Sequence, residues 1–174
     1  RQLVQTVHVD DLCAAIDRAI SLDLTGVLNI AEPDGILMRE LLAARAAKGR
    51  GEAMGHTLLS GQAGLGKTTA ARLLARECGA PLVEVLAGNI HDPNQLISLL
   101  CRLQKGEFIL LDEIHRLEAA CQESLYTALE DGVTDVVLRE GGRTRALRVR
   151  LEPFTLVGAT TCLGKLSPPL RSRF

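Results

Sequence analysis

Aromatic residues are nearly absent from this 174-residue chain, which has no Trp, one Tyr and three Phe. That scarcity argues against a base-stacking platform for single-stranded nucleic acid, which needs ring faces for the bases to lie on. Paired cysteines are lacking as well. The five that occur, Cys13, Cys78, Cys101, Cys121 and Cys162, are scattered, odd in number and form no CxxC. This excludes a disulfide framework and a structural zinc, and leads us to expect reduced thiols in the core. No apolar run approaches the eighteen or so residues of a membrane span, and the opening RQLVQTVHVDD has no secretory apolar region. The expectation is a cytoplasmic protein with no membrane partner. Charge of one sign is also missing: the formal net charge is -1, which rules out a strong global pull on DNA but leaves room for a local basic patch. There is no Met at the start, and the chain stops at Arg-Ser-Arg-Phe without a segment to close a domain; a fragment is expected.

What is present is an ordinary globular composition, 47% hydrophobic and 24% charged, of a length that suits one domain. The first forty residues read as strand, helix, strand. VQTVHV alternates, Asp10 is placed to cap a helix with Leu12, Ala15, Ile16, Ala19 and Ile20 on one face, and GVLNIA follows. After the turn signal Glu32-Pro33-Asp34-Gly35, a helical run over 38 to 47 leads to the breaker Gly49-Arg50-Gly51. From Gly55 onward strands alternate with helices. TLLS, PLVEVLA, EFILLD and FTLVGATT read as strands, and the periodicity predicts helices over 67 to 77, 94 to 103 and 118 to 130. DVVLRE and ALRVRLE around Gly141-Gly142 read as a β-hairpin. Continuous apolar strands suit a parallel sheet covered on both faces, so the fold class is α/β, a doubly wound parallel sheet flanked by helices with an inserted hairpin.

The chemistry concentrates in four places. Gly61-Gln62-Ala63-Gly64-Leu65-Gly66-Lys67-Thr68, followed by Thr69, is a complete G-x-x-x-x-G-K-[ST] pattern between a strand and a helix. Its glycines let the backbone fold round phosphates and aim N–H groups inward, and the helix N-terminus adds a favourable dipole. In such a loop the lysine, Lys67, reaches the β- and γ-phosphates and the hydroxyl of Thr68 sits on Mg²⁺. Some forty residues later the apolar strand FILL ends in Asp112 and Glu113, at the end of a strand where open α/β sheets bind ligands. Asp112 suits the metal's coordination sphere, and Glu113 suits polarising the attacking water. Alone, a strand ending in Asp-Glu is a weak signal; downstream of a P-loop it is a strong one. Gly158-Ala159-Thr160-Thr161 closes the last strand, where a hydroxyl can meet a γ-phosphate or a water, although Thr at a strand end is also simply good β-propensity. Two arginines, Arg171 and Arg173, follow a Pro-Pro turn; composition alone reads them as a solvated helix end.

His115 stands beside the Asp-Glu pair, but a lone His is more often a packed, hydrogen-bonded residue than a catalytic one. His8, His56 and His91 lack ligand spacing with the cysteines. The hairpin is basic, with Arg139, Arg143, Arg145, Arg148 and Arg150, yet its arginines fall on both parities. A DNA-facing ribbon and a solvated or partner-binding hairpin both remain open.

Taken in order, GQAGLGKTT, ILLDEIHRL, ALEDGVTDVVL, RALRVRLEPFTLVGATT and SPPLRSRF resemble the ATPase core of the bacterial Holliday-junction branch-migration motors, the RuvB family of AAA+ proteins, over about residues 42 to 174. The resemblance implies ATP and Mg²⁺ as cofactors and assembly into a hexameric ring acting on branched DNA in recombination and repair. It also implies a sensor-1 role for Thr161, and a role for Arg173 as the arginine finger that acts on a neighbouring subunit's ATP. Residues 133 to 151 become the hairpin that docks the junction-binding partner RuvA.

The sequence also departs from the family pattern. GQAG replaces the usual GPPG, so Pro no longer stiffens the cradle, and Cys162 stands where an Arg commonly follows the sensor threonines. The segment that contacts adenine is not recognisable, and the lid and winged-helix domains have no counterpart. In their place VHVDDLCAAIDRAI and TGVLNIAEPDGILMRELL resemble a piece of an extended short-chain dehydrogenase or epimerase over about residues 1 to 42, without that family's cofactor loop or Tyr-x-x-x-Lys pair. The expected organisation is therefore a short α/β segment over 1 to 42, fused to an AAA+ core over 43 to 174. Rival readings are a nucleotide- or partner-binding module without useful turnover and an epimerase remnant.

Overall fold

The computed structural model describes residues 27 to 29, 54 to 140 and 143 to 174. The helices read near the chain start, over 38 to 47 and after Asp10, lie outside them. Five parallel strands form one sheet: β1 (Val27–Asn29), β2 (Thr57–Ser60), β3 (Leu82–Leu86), β4 (Phe108–Asp112) and β7 (Thr155–Thr160), in the order β1-β2-β7-β4-β3. The helices α1 (Lys67–Cys78), α2 (Pro93–Leu100), α3 (Ala119–Asp131) and the short α4 (Pro168–Arg171) accompany it. The α/β expectation holds.

Alternation along the strands divides the core into two layers. Leu59, Leu110, Val157 and Ala159 face the layer built on Ala70, Ala71 and Leu74 of α1. Their neighbours Leu58, Ile109, Leu111 and Leu156 face the opposite layer, which contains Leu96 and Leu100 of α2 and Cys121 and Leu125 of α3. Because both faces of β4 and β7 are covered, residues 108 to 111 and 156 to 159 form continuous non-polar runs. β3 departs from the expectation of full burial. Among the described residues it is the sheet's edge, half-buried to exposed along its length, and Leu86 at its end is 42% exposed. The cysteines divide similarly, for Cys121 is buried as expected whereas Cys101 is exposed.

Local chemistry sets the helix limits. Asp92 caps α2, its carboxylate accepting from the N–H groups of Asn94 at 2.7 Å and Gln95 at 3.1 Å, with Pro93 pre-set for the first turn; such a cap contributes about 1 kcal/mol. The helix therefore spans Pro93–Leu100 and stops short of the expected residue 103. Gly79, at φ 64°, ends α1 by donating to Arg76 while Ala80 donates to Ala75. Gly132, at φ 63°, ends α3, and the hairpin β5 (Val133–Glu140) and β6 (Arg143–Arg150) begins at once. The hairpin's return is stitched to the same point, because Leu151 N–H donates to the Gly132 carbonyl at 2.9 Å. Arg148 pairs across the strands with Asp135, at 3.2 Å.

β1 pairs in parallel with β2, Val27 opposite Leu58 and Asn29 opposite Ser60. The segment read from sequence as foreign thus contributes a strand to the same sheet as the P-loop.

His56 sits just before β2, its Nδ1 accepting from Leu156 N–H at 3.1 Å and its ring tilted against Phe154. Burial lowers its pKa from 6.5 to about 4. The folded chain therefore keeps this ring neutral while the unfolded chain protonates it below pH 6.5. Its stabilisation is complete above pH 6.5 and is lost as pH falls towards 4, by at most about 3 kcal/mol. Urea melts at pH 7 and pH 4.5 should show a smaller loss for His56→Gln than for the parent; equal losses would remove His56 as the cause.

Candidate functional site

The P-loop follows from how β2 runs into α1. Gly61 N–H donates to the Thr160 carbonyl at 3.2 Å, prolonging the sheet's pairing by one residue, and the chain then turns through Gly64 at φ 84° and Gly66 at φ 76°. These left-handed positions suit glycine, and space is open beside Gly64 where a Cβ would stand. Gly66 is the N-cap of α1 and supplies no side chain, and the first turn holds no acidic residue. The orphan N–H groups and the positive end of the helix dipole are therefore left for an anion. Gln62, Ala63 and Gly64 are exposed and Leu65 half-buried, as befits a loop whose backbone does the work. Lys67 is buried, and its Nζ donates to the carbonyls of Gly61 at 3.0 Å and Gln62 at 2.8 Å. The ammonium is folded back into the concavity it would share with phosphate.

Asp112 closes the other side. Its Oδ2 accepts from the Thr68 hydroxyl at 2.9 Å, and its Oδ1 accepts from Glu113 N–H at 2.9 Å. Glu113 has φ 53°, the one non-glycine residue with positive φ among those described. A left-handed glutamate costs about 1 kcal/mol or more and marks a functional turn. From there the chain enters a 3₁₀ turn over Ile114–Arg116, which brings His115 back towards the end of β7.

The threonines at the end of β7 and just beyond it reach the same place. Thr161 donates to Glu113 Oε2 at 3.2 Å, and the His115 Nε2 lies 3.3 Å from that oxygen. Thr160 is fully buried and meets His115 Nδ1 at 2.9 Å. Gly158 permits this convergence, since a Cβ there would lie 2.9 Å from Leu58 Cδ1, 3.2 Å from Ile114 Cδ1 and 3.3 Å from the Phe174 ring. Thr68 meets Asp112 and Thr161 meets Glu113, the next residue along the chain, while Lys67 precedes Thr68 in the loop. Thr68 and Asp112 are hard oxygen donors side by side, a set that fits a Mg²⁺ ion retaining several waters. Thr69 is exposed on α1.

Arg173 lies elsewhere. Its Nη2 is 2.7 Å from Glu130 Oε1 and 3.2 Å from the Tyr126 hydroxyl, and its guanidinium stands 4.9 Å from the Tyr126 ring centroid. The Tyr126 hydrogen bond, reinforced by the Glu130 charge, raises its already high pKa. Its Nε is buried without a partner. Sequence reasoning named the arginine but neither of its α3 partners. It also missed Gln122, a buried residue whose amide donates to the Leu117 carbonyl at 3.0 Å and accepts from Ser167 N–H at 2.9 Å. Gln122 ties the turn after Glu113 to the segment leading to Arg173. No periodic signal marks such a residue.

The family model of the Holliday junction DNA helicase RuvB P-loop domain matches residues 34 to 174. The chain belongs to that family. The RuvB subunit of Prosthecochloris aestuarii is 52% identical over 130 residues, covering 74% of this chain and 38% of its own length. That of Oleidesulfovibrio alaskensis is 48% identical, covering 75% and 40%. Both carry the name Holliday junction branch migration complex subunit RuvB. The solved RuvB branch migration motor of Thermotoga maritima is 40% identical, with a TM-score of 0.66 over 79% of this chain and 42% of that one. The chain therefore spans about two fifths of the length of these relatives. The RuvB match begins at residue 34, inside the stretch read as dehydrogenase-like, and lends that reading no support.

In this RuvB P-loop domain, Gln122 offers a direct test of how its two halves are joined. Gln122→Leu leaves the Leu117 carbonyl and Ser167 N–H unpaired and should lower the unfolding free energy by about 2 kcal/mol. Hydrogen exchange should quicken at Ser167 well before it does in β4; unchanged exchange at Ser167 would remove the tie.

Proposed function

We propose that this chain is the ATP-binding and ATP-hydrolysing core of a branch-migration motor that works on branched DNA in recombination and repair. The observation that carries the reading is the meeting of Thr68 and Asp112 at 2.9 Å beneath an uncapped helix N-terminus, with Glu113 next along the chain. The phosphates would rest on the N–H groups of residues 62 to 69, with Lys67 turned from its two carbonyls towards them. Thr68 and Asp112 would hold Mg²⁺, which when bound offsets the charge of the phosphates. Glu113 would take a proton from the attacking water, and Thr161 would orient the γ-phosphate or that water. The names of the relatives support assembly with a partner complex and DNA. On that basis we place RuvA at the hairpin of residues 133 to 151, where Leu147 is 46% exposed. We also propose a homohexameric ring and a cytoplasmic location, which the same kinship supports. Among the described residues no helix is long and apolar enough to cross a membrane. The division near residue 42 belongs to this proposal also, with β1 joined to the core sheet.

Titration calorimetry with Mg-ATP tests the binding step. Lys67→Ala removes one charge-assisted donor and should weaken binding about ten- to a hundredfold; equal affinity would refute the phosphate site. Glu113→Gln should bind ATP like the parent and fail to turn it over. A parent that binds but does not hydrolyse would favour a nucleotide-binding module instead.

Arg173 acts, in this reading, on the ATP of the next subunit, and fingers of this kind contribute about a thousandfold or more in rate. Arg173→Ala should leave the subunit's own ATP affinity unchanged and abolish concentration-dependent turnover. Mixing it with Lys67→Ala subunits should restore part of that turnover, because some interfaces then pair an intact loop with an intact finger. Failure to recover in mixed rings would refute action between subunits.

A further inference from the structure

His115 stands beside Glu113 and Thr160, and the proposed function gives it no task. Its side chain is only 8% exposed and its two nitrogens touch the ends of two different strands. Thr160 Oγ1, fully buried, accepts from Cys162 N–H at 3.0 Å and lies 2.9 Å from His115 Nδ1. A buried hydroxyl proton left without an acceptor is costly, and the ring nitrogen is the acceptor within reach. The arrangement suits Nδ1 as the acceptor of that hydroxyl, with the ring's hydrogen on Nε2. That N–H faces Glu113 Oε2 at 3.3 Å, the oxygen that also receives the Thr161 hydroxyl. A chain of donors thus runs one way, from the Cys162 amide through Thr160 and His115 to the glutamate.

We propose that His115 is a positioning residue for Glu113: held at Nδ1 by Thr160, it presents Nε2–H to the Glu113 carboxylate and fixes that carboxylate relative to β7. Two features make the task necessary. Glu113 leaves β4 in a left-handed conformation, so the sheet does not itself determine where its side chain points. Its side chain is 29% exposed and, without an anchor, would sample several rotamers in solvent. Thr161 alone supplies a single hydroxyl that can rotate, whereas the imidazole is a rigid plane set by the 3₁₀ turn of Ile114–Arg116 and by a buried partner. The inference rests on the proposed role of Glu113 in turnover, but its geometric half can be tested without turnover.

The test uses the full chain. Long-range proton–nitrogen correlation at neutral pH should show His115 Nδ1 as an unprotonated acceptor and Nε2 as protonated. Three-bond couplings of Glu113 should report one χ1 rotamer in the parent and averaging in His115→Ala. In His115→Gln, whose amide oxygen and nitrogen can replace the two ring positions, the single rotamer should largely return. Under steady-state ATP turnover, His115→Ala should lower kcat about tenfold with KM for ATP within about twofold, and His115→Gln should recover most of it. Glu113 couplings that are identical in parent and His115→Ala, each verified as folded by circular dichroism, overturn the proposal. So does an unchanged kcat in a parent whose turnover Glu113→Gln abolishes. A parent without turnover counts against the hydrolytic reading alone, and the coupling measurement still decides the role of His115.

Discussion

The hydrogen bond between the Thr68 hydroxyl and Asp112 joins residues forty-four apart in sequence and holds the rest of the site to one geometry. It is possible because β2 and β4 are separated in the sheet by a single strand, β7. The strand between them ends in Thr160, with Thr161 next along the chain, so sheet order brings the residues that meet His115 and Glu113 to the gap. No loop has to be folded specially to bring them there. Parallel pairing also places every strand's carboxyl end on one side, and the phosphate loop, the acidic pair and the threonines all emerge at that edge.

Much of this was legible beforehand, and for physical reasons. The phosphate loop is written in fixed residue types because left-handed turns at Gly64 and Gly66 and the close approach of backbone to anion restrict what can stand there. β4 and β7 are readable because both faces are covered, which makes their central residues non-polar on both sides. The edge position of β3 was not readable, since its LVEVL looks as apolar as a central strand and only the pairing order leaves one side open. The fate of residues 27 to 29 was hidden for the same reason: a three-residue strand carries no mark of which neighbour it joins.

The contacts that organise the cleft were the least visible. His115 carries no periodic signal, and its role follows from a ring bridging two strand ends that meet only after the sheet has formed. Gln122 looks like a surface residue of an amphipathic helix, yet it is buried and satisfies two backbone groups from different loops. Tyr126 and Glu130 are one turn apart on α3 and would pass for an ordinary solvated face without the guanidinium between them. In each case one partner lies more than forty residues away, and local pattern is silent on it.

The placing of α3 has a mechanical consequence. Gln122 clamps its first turns to the exit of the acidic pair, while its last turns carry Glu130, which grips Arg173, and Gly132, where both ends of the hairpin are fastened. Thirteen residues make a rod about 20 Å long, and a tilt of about 3° at one end moves the other by about 1 Å. Displacements of that size alter rates about a hundredfold where catalytic groups must be aligned. The rigidity of this one helix therefore sets the tolerance to which the protein's own nucleotide cleft, its guanidinium and its protruding ribbon must be manufactured together, as parts mounted on a single shaft.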